Sequence, residues 1–228
     1  MYTHSHRFLI IALIVISGLV LAWFMVRQEG TPAPVAEVPA TTTPSALSGR
    51  SIYTNGEYGF TVTYPEAARL EEAFSPEYHI SDAWRVNALP DGTGTPIAAV
   101  IAYSTESDHS YPRHFNAQVR IGASTDPDEL ARCLEAASEQ GETPLPDANL
   151  NGTAWKAFEF GDAGMMQYVR GVSYRTVHEG ACVAVEKMQI GSSYRDDPAS
   201  EDDIADEVLQ ARYKSLDSIV ESVTFARP

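Results

Sequence analysis

The chain is short of positive charge. Its 228 residues include 16 Lys and Arg against 31 Asp and Glu, a net charge of −15 at pH 7. Residues 51–228 alone hold 13 basic and 29 acidic residues, a net charge of −16. A field of this sign repels phosphates and anionic lipid headgroups. The composition therefore argues against a nucleic-acid partner, and it predicts a domain that does not lie on a bilayer surface.

The sequence also lacks the short motifs of common catalytic and cofactor sites. It contains no G-x-x-x-x-G-K phosphate loop, no G-x-G-x-x-G dinucleotide fingerprint and no G-x-S-x-G nucleophile elbow. Neither C-x-x-C nor H-E-x-x-H occurs, so the usual local spacing of zinc ligands is missing. We therefore expect no cofactor, no catalytic residues and no enzymatic activity. The alternative is an envelope enzyme with an unrecognised site built from scattered carboxylates.

One long stretch carries no charge at all. Residues 8–26, FLIIALIVISGLVLAWFMV, would form a helix about 28 Å long, which is close to the hydrocarbon thickness of a bilayer. The run is longer than a usual signal-peptide core, and bulky residues follow it instead of a small-x-small cleavage site. We expect a retained transmembrane signal anchor at 8–26, through which the protein contacts the membrane, and a cytoplasmic tail at 1–7.

The segment that follows the anchor, residues 27–50, is rich in Pro, Ala and Thr and has no apolar periodicity. It cannot bury enough apolar surface to offset the entropy of ordering, so it is predicted to be a disordered linker. Arg7 flanks one side of the anchor, whereas Glu29 offsets Arg27 on the other side, which favours an inside amino terminus. The expected localisation is a single-pass cell membrane protein whose C-terminal domain, residues 51–228, lies outside the cytoplasm.

Most of this domain carries strand patterns. Phe60, Val62 and Tyr64 alternate with threonines and end at Pro65, as in a half-buried strand. Turn signals at Asn-Gly, Asp-Ala-Gly and His-Glu-Gly precede or separate the later strands and predict an antiparallel meander. The further predicted strands are 84–89, 96–103, 117–123, 154–160, 165–177, 182–190 and a short closing strand at 222–225.

Two helix patterns interrupt the strands. Asp126 is a predicted N-cap ahead of Pro127, and the apolar face that follows extends towards Gly141. The second helix is predicted to begin at Ser200 and to run to Val220, with acidic residues in its first turn, where the helix dipole favours them. Together the elements predict an α+β fold with a central antiparallel sheet flanked by helices.

Three stretches resemble the PsbP-like domains, a family named for the extrinsic protein of photosystem II. They are the single residue Tyr53, the stretch EYGFTVTYP at 57–65, and the stretch SIVESVTF at 218–225, which follows from the closing predicted helix. The resemblance implies an early hairpin at 57–65 and a last strand that contains Phe225. It also implies a non-catalytic binding or assembly module, because members act mostly in this way. Together with the predicted anchor, the expected function is that of a membrane-anchored module of a bacterial cell envelope. The ligand or envelope partner is unknown.

The chain has two cysteines, Cys133 in the first predicted helix and Cys182 at the start of a strand. A disulfide between them would agree with an oxidising compartment outside the cytoplasm. Closing this loop would stabilise the domain by about 4 kcal/mol in the chain-entropy model. The alternative is two small buried thiols that do not pair. We predict the disulfide, with Cα atoms within about 7 Å.

Two polar segments are candidate sites. DHSYPRH at 108–114 gathers residue types that serve in acid/base or metal sites, although an exposed loop would have the same composition. DDPASEDDIADE at 196–207 could bind calcium through carboxylate oxygens, or could simply be a solvated helix start. The calcium candidates are Asp196, Asp197, Asp202 and Asp203.

Overall fold

The computed structural model describes residues 49–77, 80–105, 114–192 and 204–226. No helix among these residues is long and apolar enough to cross a membrane. The predicted tail, anchor and all but the last two residues of the linker lie outside the described residues. So do most of the 108–114 segment and the calcium candidates Asp196, Asp197, Asp202 and Asp203.

The described strands form two antiparallel sheets. Seven strands make the larger sheet in the order β3-β4-β5-β9-β8-β7-β6, and three make a smaller sheet in the order β1-β2-β10. The predicted central antiparallel sheet and its meander β7-β8-β9 are confirmed. The strands are β1 (Arg50–Asn55), β2 (Phe60–Pro65), β3 (Arg69–Glu71), β4 (Thr95–Ser104), β5 (Phe115–Ser124), β6 (Thr143–Leu150), β7 (Thr153–Gly164), β8 (Gln167–His178), β9 (Ala181–Ser192) and β10 (Thr224–Phe225).

Few helices accompany the strands. In the described residues they are α1 (Pro127–Ala131), a 3-10 turn (Ser138–Gln140), α2 (Asp206–Ser215) and α3 (Asp217–Val220). α1 contacts β9, and α3 contacts β2 and β9. The two helices lie on opposite faces of the large sheet, because each packs near residues of β9 whose side chains point in opposite directions.

β5 and β9 occupy the centre of the large sheet. Every residue of β5 is buried, and so is every residue of β9 except Ser192. In β5, Val119 and Ile121 alternate with Gln118 and Arg120. One face of the sheet is therefore apolar at this point, and the opposite face is polar.

The apolar face packs against the small sheet and α3. Phe60 and Val62 of β2 are fully buried there, together with Ile219 of α3. β1 and β2 form an early hairpin, and Phe225 of β10 pairs with Phe60, as the family resemblance implies. Each buried large apolar side chain contributes about 1.5 to 3 kcal/mol, so this face holds the small sheet in place.

α1 is shorter than predicted. Asp126 is its N-cap, as expected, and the carboxylate accepts backbone N–H groups of the first turn. The helix ends at Ala131, however, and does not continue towards Gly141. Beyond it the chain bonds to the sheet: the carbonyl oxygen of Glu135 accepts from Nη1 of Arg175, 3.1 Å away. Between α1 and Glu135 the chain keeps turn hydrogen bonds, such as that from the Glu135 N–H to the Arg132 carbonyl oxygen at 3.1 Å.

The second predicted helix also differs. α2 begins at Asp206, whereas the predicted start at Ser200 lies outside the described residues. Its N-cap, Ala205, has no side chain that could accept a hydrogen bond. Val208, expected on the buried face, is 41% exposed, and α2 has no buried residue. The buried apolar side chains lie instead on α3, where Ile219 is 1% exposed.

The predicted strand at 84–89 is wrong, because these residues form bends and turns. Trp84 is nevertheless buried, at 2% exposure. The backbone N–H of Val86 donates to the Glu186 carboxylate at 3.0 and 3.1 Å, so it is not part of a strand ladder. The alternation of apolar residues here reflects an irregular segment packed on the sheet.

The β7–β8 turn lies later than its sequence signal. Met165 and Met166 occupy the turn with φ of 45° and 64°, whereas the predicted turn residues, 162–164, belong to β7. β1, β3 and β6 were not predicted as strands. β6 contains Pro144 and Pro146, which suit an edge strand because proline cannot donate to a ladder.

Candidate functional site

The polar face of the large sheet lies beneath the irregular segment 81–94 and α1. Charged side chains from both layers are buried between them, which requires each to have a partner of opposite charge or a hydrogen bond. Their exposures range from 0 to 4%. They are Arg85, Glu129, Glu142, Arg175 and Glu186.

Arg85 and Glu129 form the first buried ion pair. Nη2 of Arg85 lies 2.8 Å from Oε2 of Glu129, and the side chains are 3% and 0% exposed. The other carboxylate oxygen accepts from Nε1 of Trp84 at 3.3 Å and from the backbone N–H of Leu89 at 2.7 Å. Glu129 thus ties α1 to both ends of the 84–89 segment.

Arg175 of β8 and Glu142 form the second buried pair, and this pair joins the sheet to its cover. Glu142 accepts from the backbone N–H of Ala137 at 2.7 Å and from Nδ2 of Asn87 at 3.0 Å. Burial lowers the pKa of Arg175, while the nearby Glu142 carboxylate raises it. The pair fixes the 135–142 segment above β8.

Glu186 of β9 lies at the centre of the buried group and is 2% exposed. Desolvation raises the pKa of its carboxyl group, and the hydrogen bond from the Val86 backbone and the charges of Arg85 and Arg175 oppose this shift. Glu186 therefore anchors the irregular segment to the sheet from below.

A second polar group surrounds Glu77, further along the same face. Gln118 donates to its Oε1 at 3.1 Å, and Nη2 of Arg120 lies 3.6 Å from the same oxygen. Arg120 also donates to the carbonyl oxygens of Ser75 and Ser81 at 2.9 and 3.1 Å. Burial lowers the pKa of Arg120, and Glu77 opposes this. These contacts hold the start of the covering segment.

A cleft opens beside the Arg85–Glu129 pair. It has a volume of about 380 Å³ and lies between the 85–90 segment and the chain that follows α1. A neighbouring cleft of about 320 Å³ shares Leu89, Pro90 and Arg132 with it. The lining of the first cleft comprises Arg85, Asn87, Leu89, Pro90, Arg132 and residues 135–140.

Arg85 is the buried charge that reaches this cleft. Its Nη2 is held by Glu129, but Nε and Nη1 are buried and have no acceptor in the protein. Arg120 and Arg175 differ, since both of their Nη atoms donate to protein oxygens. Within the described part of the chain, Arg85 is thus the buried arginine with a terminal amino group left over.

The predicted disulfide between Cys133 and Cys182 is confirmed, with a Cα–Cα distance of 5.6 Å. Both residues are fully buried. The bond joins the turn after α1 to the first residues of β9, so it holds one wall of the cleft, including Arg132, against the sheet.

The described residues of the two candidate segments, His114 and 204–207, do not line this cleft. Of 108–114, His114 alone is described, and its Nε2 lies 3.7 Å from Oε2 of Glu77. Among the described residues there is no cluster of three or more His, Cys, Asp or Glu side chains that could hold a metal. The calcium candidates remain outside the described residues.

The sequence reasoning missed the residues that build the cleft. Glu186 follows the apolar run that opens β9, and Arg175 lies inside β8; charged residues within predicted strands are a usable signal of buried ion pairs. Arg85 falls inside a predicted strand that the structure does not contain, and Glu129 follows the N-cap Asp126 by three residues, a spacing that is typical of a helix start. No sequence pattern links these residues, because they come from four separate elements.

Comparisons with known proteins concern the fold alone. No family model matches the chain, and no curated protein matches it. The structure is similar to the solution structure of cyanobacterial PsbP (CyanoP) from Synechocystis sp. PCC 6803, with a TM-score of 0.40 and 10% identity over 87% of this chain and 99% of that one. It is also similar to LpqN, involved in cell envelope biogenesis of Mycobacterium tuberculosis, with a TM-score of 0.42 and 14% identity over 78% of this chain and 91% of that one.

Proposed function

We propose that the chain is a membrane-anchored, non-catalytic binding module of a bacterial cell envelope, with a PsbP-like domain outside the cytoplasm. The cleft lined by Arg85 and Arg132 is the binding site. The observation that carries this proposal is the cleft itself: it is concave, partly apolar and lined by polar side chains, among them Arg85, Asn87 and Arg132. Ligand sites in proteins combine these features.

The disulfide supports a place outside the cytoplasm. Disulfides persist in oxidising compartments and are rare where thiol-reducing systems operate. Cys133 and Cys182 are buried and joined. The uncharged run at 8–26 supplies the anchor in this proposal, and the linker at 27–50 holds the acidic domain away from the bilayer.

The chemistry of the cleft favours binding over catalysis. The carboxyl group whose pKa is raised by burial, Glu186, does not line the cleft and is held by the Val86 backbone. The alternative is an envelope enzyme that uses cleft carboxylates such as Glu135 and Glu139.

Fractionation of the full-length protein tests the anchor. We expect it to stay in the membrane pellet after a carbonate wash, and a variant without residues 1–26 to be released. Cys133 and Cys182 should resist alkylation until the sample is unfolded and reduced. Recovery of the intact chain from a salt-washed soluble lysate, or of a trimmed form from culture supernatant, would contradict the proposal.

Site-specific photo-crosslinking in the native cell envelope tests the cleft. A photoreactive residue at Gln140, which lines the cleft, should capture a ligand or partner. The matched control carries the same photoreactive residue at position 66, where the exposed Glu66 lies in the segment that connects β2 to β3. Equal capture at both positions would refute a site at the cleft. Chemical turnover of a captured small molecule, lost in Glu135→Gln or Glu139→Gln, would replace the binding module with the enzyme alternative.

A further inference from the structure

We infer that the outer edge of β1 pairs with the same edge of a second copy of this chain, so that two three-stranded sheets join into one. This goes beyond the proposed binding module and uses no residue of the cleft. β1 ends the strand order β1-β2-β10, so one of its sides has no neighbouring strand among the described residues. A strand in this position presents backbone N–H and C=O groups that can pair with another chain.

The hydrogen bonds of β2 show which residues of β1 direct these groups outwards. Ile52 is paired with Thr63 of β2. The N–H and the carbonyl oxygen of Thr63, however, both bond to Oγ of Ser222 on the other side of β2, at 2.9 and 2.8 Å. Ile52 and Thr63 are therefore a non-hydrogen-bonded pair, and such pairs alternate with hydrogen-bonded ones along an antiparallel ladder. It follows that Arg50, Ile52 and Thr54 direct their N–H and C=O groups away from β2.

The outward groups belong to residues that solvent reaches. The carbonyl oxygen of Gly49 accepts from the N–H of Glu66 at 3.1 Å, so Gly49 faces β2 and the next residue, Arg50, faces outwards. Arg50 and Thr54 are exposed, and Ile52 is partly exposed. No hydrogen bond from another described residue reaches the outward backbone groups of these three residues. The edge is therefore available to a partner strand.

The other edge strands carry features that block pairing, and β1 does not. β6, at one edge of the large sheet, contains Pro144 and Pro146 and has a register shift between Leu145 and Ala148. β3, at the opposite edge, has three residues, and β10 has two. Proline, irregularity and short length are the usual protection of an edge strand. β1 has six residues, no proline and no register shift, so among the described strands it is the edge left open.

The sequence of β1 suits an antiparallel pair with itself. A twofold axis at Ile52 places this residue opposite its own copy and places Arg50 opposite Thr54. All three residues then direct their backbone groups towards the partner strand, as hydrogen-bonded pairs require. The two isoleucines form an apolar cross-strand pair, and Arg50 meets no like charge directly opposite, which would destabilise the sheet.

The position of the predicted linker also favours a second copy. Residues 27–50 lead directly into β1. In the antiparallel pair, the two copies of Arg50 lie four positions apart along the strands, which is about 14 Å. A flexible linker of this length spans roughly 25 Å, so two copies reach one membrane together. This step rests on the proposed anchor, which would hold the copies at high local concentration.

The pair should be weak in dilute solution and sensitive to salt. The six residues of β1 are far fewer than the roughly 20–30 residues a side of a stable interface, so confinement to a membrane is needed to populate the pair. The net charge of −16 on residues 51–228 opposes pairing. Salt screens this repulsion, and the screening length falls to about 8 Å at 0.15 M. Pairing with a second copy should therefore strengthen as salt rises, whereas binding of a basic partner would weaken.

Cysteine crosslinking of the full-length protein in lipid vesicles tests the pairing. The described part of the chain has no free cysteine that could compete. Ile52→Cys puts two Cα atoms about 5.5 Å apart across the twofold axis, within the range of a disulfide. Thr63→Cys is the matched control, because Thr63 lies beside Ile52 one strand further in and its copies would be about 14 Å apart. Copper-phenanthroline oxidation should give at least tenfold more covalent dimer with Ile52→Cys.

A second substitution ties the dimer to the backbone of the edge. Thr54→Pro, added to Ile52→Cys, removes an outward N–H without removing a bond to β2, since proline is tolerated on the open side of an edge strand. It should lower the dimer yield at least fivefold, with a circular dichroism spectrum and Tm that report an intact fold. Thr54→Val keeps the N–H and the branched side chain and should leave the yield unchanged.

Three results would overturn the inference. They are equal dimer yields for Ile52→Cys and Thr63→Cys, a yield that Thr54→Pro does not lower, and a yield that falls as NaCl is raised. Flotation of the same vesicles reports the anchor separately, so a failure of pairing is not confused with a failure of the anchor.

Discussion

Replacement of Gly122 by alanine should separate the irregular segment from the sheet. A Cβ at Gly122 would lie 1.9 Å from the carbonyl oxygen of Trp84 and 2.9 Å from its carbonyl carbon. Non-bonded heavy atoms settle at about 3.5 Å, so the Trp84 backbone must move by roughly 1.5 Å. The three atoms nearest to this Cβ all belong to the Trp84 backbone, so no flexible side chain can move aside to relieve the clash.

The expected loss of stability has two sources. Overpacking in a close-packed interior costs about 1–3 kcal/mol. Movement of Trp84 also pulls Val86 from the Glu186 carboxylate, and a buried acceptor that loses its donor costs about 1–3 kcal/mol. We expect a loss of about 3 kcal/mol in the free energy of unfolding. For a domain of this size that corresponds to a fall of roughly 6–12 °C in Tm.

Gly161→Ala is the matched control for this measurement. Gly161 also lies in a strand of the large sheet, but its Cβ would meet its nearest neighbour, the carbonyl oxygen of Val169, at an ordinary 3.4 Å. Calorimetry of both variants should show a lowered Tm for Gly122→Ala and little change for Gly161→Ala. Equal Tm values for the two variants would refute this account of the packing.

Other residues of the same region give further predictions. The double replacement Cys133→Ala and Cys182→Ala should lower the free energy of unfolding by about 4 kcal/mol. An equal Tm for the wild type and the double variant in calorimetry would show that the disulfide does not stabilise the domain. Glu129→Ala leaves Arg85 buried without its partner and should cost about 3–5 kcal/mol in denaturant unfolding, whereas exposed Glu139→Ala should stay within about 0.5 kcal/mol. Because burial raises the pKa of Glu186 above its ordinary 4.5, the native state keeps a proton that the unfolded chain has lost, so stability falls as pH rises above 4.5. Glu186→Gln should lack this dependence, and a wild-type-minus-variant difference that is constant with pH would contradict the assignment.

The buried ion pairs explain why the cover of the sheet is irregular. Arg85 pairs with Glu129 within the cover, and Glu186 of the sheet accepts the backbone N–H of Val86, which a regular strand would use in its ladder. Replacing such pairs by apolar residues can be neutral for stability. Their presence at the edge of a cleft therefore agrees with a role in shaping a binding site.

Local patterns predicted most of the sheet. The alternation of Phe60, Val62 and Tyr64, the similar alternation in β5 and the apolar run that opens β9 each report burial within one element, and this information is contained in neighbouring residues. The N-cap Asp126 is local for the same reason, since its hydrogen bonds reach only into the next turn. The disulfide was predictable because two cysteines allow one intramolecular pairing.

The sequence by itself thus determined the meander β7-β8-β9, the start of α1 and the disulfide partners, because each depends on contacts near in the chain or on a unique choice. Tertiary structure alone decided the end of α1, the bends at 84–89 and the cleft. These follow from contacts between residues far apart, such as Arg85 with Glu129 and Val86 with Glu186. The energy of such pairs depends on burial and distance, which a linear pattern does not contain.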